Sequence, residues 1–71
     1  MLNRLVGRPV YVDFVDTNCD WHHYVLLKVT KEFGTCWLKL KGRDNPEDGA
    51  KHKGDVFIVP ASAITFLALQ E

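Results

Sequence analysis

Net charge is absent from this chain, because nine Lys and Arg balance nine Asp and Glu over 71 residues. Without a global field to gather phosphate-rich partners, a nucleic-acid role needs a local patch. Long apolar runs are also missing. No stretch approaches the length that spans a bilayer, and the opening MLNRLVGRPV holds no apolar run of signal-peptide length. Cysteine is scarce: Cys19 and Cys36 allow one bridge at most, where a small secreted scaffold normally carries four or more. The expectation is a reduced, cytoplasmic protein with no membrane partner. Repeats and linkers are lacking too, so residues 1–71 form one domain. At this size folding buries only about 60 % of the surface the unfolded chain exposes, and help from subunit association is expected.

What is present reads as strand. From Pro9 to Asp16 the chain alternates, with Val10, Val12 and Phe14 on one face and Tyr11, Asp13 and Val15 on the other. Thr17-Asn18-Cys19-Asp20 is a turn by composition. Trp21 to Phe33 has no Gly or Pro, is rich in β-branched and aromatic residues, and reads as one long strand. Gly34 ends it in a tight hairpin, and Thr35 to Lys41 turns Cys36, Leu38 and Leu40 one way and Trp37, Lys39 and Lys41 the other. Gly42 to Gly54 has the composition of an exposed loop. Asp55–Val59 and Ile64–Leu69 are the last two strands, split at Pro60, which cannot donate to a ladder. Leu2, Leu5 and Val6 stand at helical spacing and suggest one short N-terminal helical turn. The fold class expected is all-β: a small, strongly bent, five-stranded antiparallel barrel of Sm-like or SH3-like type.

The last two strands carry more apolar surface than a wet-faced antiparallel strand should. Val56, Phe57, Ile58 and Val59 follow one another without a polar break, and Ile64, Phe66, Leu67 and Leu69 come close to doing so. A neighbouring copy would cover these eight residues, and a contact between different strands of successive copies closes into a ring.

The pattern resembles the Sm-like family over essentially the whole chain. The resemblance rests on a short N-terminal turn leading into Leu5-Val6-Gly7-Arg8-Pro9-Val10-Tyr11-Val12, a long bent strand, a hairpin at Phe33-Gly34, a charged loop, and Val59-Pro60-Ala61-Ser62-Ala63-Ile64 at the end. It implies a homo-oligomeric ring, with the fourth strand of one subunit paired to the fifth of the next, that binds single-stranded RNA around its pore. The chain's departures from the family's residues suggest a divergent member, such as a viral or phage genome would carry. The family pocket takes an acid, a hydrophobe and an Asn at the hairpin, then Arg-Gly at the last corner; here those positions hold Thr30, Phe33 and Gly34, then Pro60-Ala61. Of these, Phe33 keeps the family's character and would stack on a base.

Two RNA-facing sets follow. Lys31, Phe33 and Gly34 at the hairpin, with Pro60 and Ser62 at the corner, make the pocket the resemblance points to; turn chemistry alone also explains Gly34 and Pro60. Trp37, Lys39 and Lys41 share a strand face that Lys28 can join, the mixture of aromatic and cation that holds single strands; a solvated face with lysine stems over Trp37 is the plainer account. Metal binding is not expected, because Cys19, His22, His23 and His52 lack finger-like spacing. Nor is catalysis: Asp16, Asp20, His22 and Ser62 sit in no nucleophile motif. No cofactor is expected. The function expected is a non-enzymatic ring binding single-stranded RNA; the alternatives are an assembly ring without the RNA pocket and a monomeric SH3-like peptide module.

Overall fold

In a computed structural model, residues 2–19, 21–44 and 52–70 are described. Five strands form one antiparallel sheet: β1 (Pro9–Phe14), β2 (His23–Glu32), β3 (Thr35–Gly42), β4 (Val56–Pro60) and β5 (Ile64–Leu69), in the order β4-β3-β2-β1-β5. The helical segments among the described residues are two short 3-10 turns, Leu2–Leu5 and Ala61–Ala63.

The alternation in β1 buries Val10 and Val12 completely, and that in β3 does the same for Leu38 and Leu40. With Trp21, Tyr24 and Leu26 they form the core, against which Leu5, Phe14, Val29 and Cys36 pack. The expected strand at Trp21 begins instead at His23. Trp21 is withdrawn into the core, and its indole N–H donates to the His23 carbonyl at 3.0 Å.

The bend of β2 has a specific cause. Leu26 pairs with Leu40 and Lys28 with Lys39, so Leu27 is an extra residue. Were the strand regular, its period of two would turn Lys28 and Thr30 inward after Tyr24 and Leu26. The bulge resets the phase, leaving Lys28 exposed and Val29 packed on the core. A second bulge at Thr65 lies where the β1–β5 register shifts between Asp13 and Phe14, and the Thr65 hydroxyl donates to the Asp13 carbonyl at 3.3 Å.

The expected barrel is not closed. β4 and β5 are the two edges of the sheet and do not pair with each other. Pro60 ends β4 with no N–H to give, and the 3-10 turn that follows carries the chain round a corner to pair with β1 instead. Gly42, expected to open the charged loop, is the buried last residue of β3. A Cβ there would overlap the His52 backbone carbonyl, so glycine lets the returning chain approach. The middle of the expected loop lies outside the described residues.

Candidate functional site

The eight apolar residues expected at an interface divide. Phe57, Val59, Ile64 and Leu67 turn to the core. Val56, Ile58, Phe66 and Leu69 stay 41–65 % exposed, two on each edge strand. Among the described residues no strand pairs with the outer side of β4 or β5, so both edges combine exposed apolar side chains with open backbone groups.

On the outer face, β3 alternation and the β2 bulge bring the expected cations together. Lys28 stands directly opposite Lys39, and Thr30 opposite Trp37. Across β3 the neighbours are Ile58 beside Lys39 and Val56 beside Lys41. Like charges directly opposite in a ladder are unfavourable, and Lys28, Lys39 and Lys41 form no ion pair among the described residues. Trp37 shares a shallow groove with Thr30, Glu32 and Ile58. At the far end of the face a groove floored by Val25 and Leu27 is bordered by Lys41, Arg43 and Lys53, with Asp44 paired to Lys53 at 3.5 Å. Lys53 was not singled out from sequence, because it stands apart from the 28–43 cluster and only folding brings it back to the face.

The hairpin set is less united. Lys31 pairs with Cys36, one residue out of phase with the Thr30–Trp37 pair, so it lies on the opposite face from Trp37, Lys39 and Lys41. Phe33 and Gly34 form a two-residue loop between paired Glu32 and Thr35, with φ of 50° and 79°. Positive φ at both central positions is the type I′ arrangement, which favours Asn, Asp or Gly in the first place. A bulky aromatic there is strained, and Phe33 is wholly exposed. Pro60 pairs with Trp37, and Ser62 is exposed in the corner turn, which lies against β3.

The histidines are occupied structurally. His22 Nδ1 lies 2.8 Å from the Val12 carbonyl, which can only accept, so that nitrogen carries the proton; the Asp13 carboxylate is 3.1 Å away and the Tyr11 ring stacks on the imidazole. His23 Nδ1 is 3.1 Å from Gln70 Oε1, which also accepts from Arg43 Nη2. Arg43 Nε is buried without a partner. No group of three or more His, Cys, Asp or Glu placed to hold a metal occurs among the described residues.

A cavity not anticipated from sequence opens beside the β1–β2 connection. It measures about 390 Å³ and is lined by Phe14, Trp21, Tyr24, Phe57 and His52, with Asp16 at one side. These rings come from separate strands and loops, so no local motif announces them. Comparison with known families, curated proteins and solved structures finds no match to this chain.

Proposed function

We propose that the chain is an Sm-like, non-enzymatic assembly protein whose copies join edge to edge, β4 of one to β5 of the next, and whose lysine-bearing outer face and Phe33 hairpin hold single-stranded RNA. The observation that carries this is the pair of unpaired edges, each with two exposed apolar side chains. Natural proteins usually blunt such edges with charge or proline. Pro60 stands at the end of β4, but Val56 and Ile58 leave the rest of that strand open. Edges on β4 and β5 are also what head-to-tail pairing requires, because the two partners in each contact differ and each copy keeps one of each. Docking would continue the sheet from one copy into the next.

RNA binding is supported by the unneutralised Lys28–Lys39 pair beside Trp37 and by the strained, solvent-facing Phe33. A polyanion would relieve the first, and a stacked base would give the second a partner. The two free cysteines fit a reducing cytoplasm. Native mass spectrometry with and without labelled oligo-U tests both parts. A ring that takes up RNA in a salt-sensitive way is the expected result. A ring without RNA would leave the assembly reading, and a monomer would remove both.

A further inference from the structure

The cavity beside the β1–β2 connection differs in kind from the lysine face. Its rings form an unbroken edge-to-face series: Phe14 against Tyr24 at 5.9 Å and 84°, Tyr24 against Phe57 at 5.9 Å and 89°, Phe57 against His52 at 6.1 Å and 77°, and His52 against Trp21 at 5.2 Å and 80°. Adjacent walls thus meet near right angles. A flat base needs parallel faces to slot between, and the one stacked pair among the described residues, Tyr11 on His22 at 16°, lies elsewhere. With Trp21 and Tyr24 only 2 % and 3 % exposed, the cavity is open chiefly along Phe14, Phe57 and His52, a concave wall that fits a compact, rounded group instead.

Charge narrows the occupant further. None of the ten described lining residues is Lys or Arg, and one is a carboxylate, Asp16; the lining His52 lies 3.3 Å from a further carboxylate, Asp55. The adjoining groove is bordered by Asp13 and the same Asp16, again with no Lys or Arg. A cation meets aromatic walls and the Asp16 carboxylate, whereas the one described lining group that could neutralise an anion, His52, already faces the Asp55 carboxylate. We propose that this cavity binds a methylated ammonium group, the head group shared by choline-like amines and methylated lysine side chains. Its size falls within the range of small-molecule sites.

The described lining includes none of Lys28, Trp37, Lys39 and Lys41, so the cavity can be tested apart from RNA binding. The test follows the two indole N–H signals by NMR, assigned with Trp37→Phe, during titration with choline, with an N-trimethyllysine amide, and with 3,3-dimethylbutan-1-ol, the uncharged isostere of choline. Trp21 is expected to shift saturably with at least one cation while Trp37 does not, and the alcohol is expected to bind about tenfold more weakly. The tighter of the two cations identifies the source of the head group. Asp16→Asn should weaken cation binding about three- to tenfold without unfolding, because the new amide oxygen can still accept from the Asn18 N–H, now 3.0 Å from Asp16 Oδ1. The proposal is overturned if the alcohol binds as well as the cations, if neither cation saturates the Trp21 signal, or if Asp16→Asn changes nothing. A Lys28→Glu/Lys39→Glu variant that loses RNA but keeps this shift would separate the two sites.

Discussion

Phe33 is the residue where local energy and solvent exposure disagree most. An L-aromatic held at φ 50° and wholly exposed contributes no packing to offset its strain. Phe33→Asn should therefore stabilise the isolated fold by about 1 kcal/mol, read from the urea midpoint. The same change should weaken oligo-U binding severalfold by anisotropy; if affinity holds, the exposed ring serves some other contact. Lys39 gives a parallel case. Lys39→Glu converts a like-charge pair with Lys28 into an opposite one, a gain of about 0.2–1 kcal/mol in stability. RNA affinity should fall and its salt dependence flatten. Stability and binding moving in opposite directions is the signature of residues kept for a partner.

At the scale of elements, the strands were largely legible because their alternation is carried by large side chains. Val10 and Val12, then Leu38 and Leu40, could face only the core. The boundaries and phase of β2 were less legible. The residues 23–32 do not alternate cleanly, and only the pairing with β3 reveals that Leu27 is supernumerary and that Lys28 belongs outside. The open edges were hidden as well: the run Val56-Phe57-Ile58-Val59 looked apolar on both faces, but folding spends Phe57 and Val59 on the core and leaves Val56 and Ile58 exposed. The aromatic cavity had no sequence signal, since its walls are 43 residues apart from Phe14 to Phe57. The exposed half of β4 supplies the sharpest test of assembly. Ile58→Lys places a charge on an edge strand at a site 65 % exposed, so the single copy should keep its stability within about 0.5 kcal/mol. Light scattering should nonetheless report a monomer, and a ring that survives this change must be built on some other surface.

For the molecule as a whole, the core is small: among the described residues the buried hydrophobic side chains are seven, Val10, Val12, Trp21, Tyr24, Leu26, Leu38 and Leu40. Chains of this length rarely reach more than about 3–5 kcal/mol from a single core. Covering four exposed apolar side chains at about 1.5–3 kcal/mol for complete burial of each, scaled down for their present half-exposure, would add an amount of the same order. Folding and association would then be coupled, and the melting temperature would depend on protein concentration. In a domain this small each kcal/mol moves Tm by about 4–8 °C. A tenfold rise in concentration should accordingly raise Tm of the native chain by about 5 °C and leave that of Ile58→Lys unmoved. A native chain whose Tm ignores concentration would mean that the thin core suffices alone, and that the exposed edges of β4 and β5 meet something other than another copy.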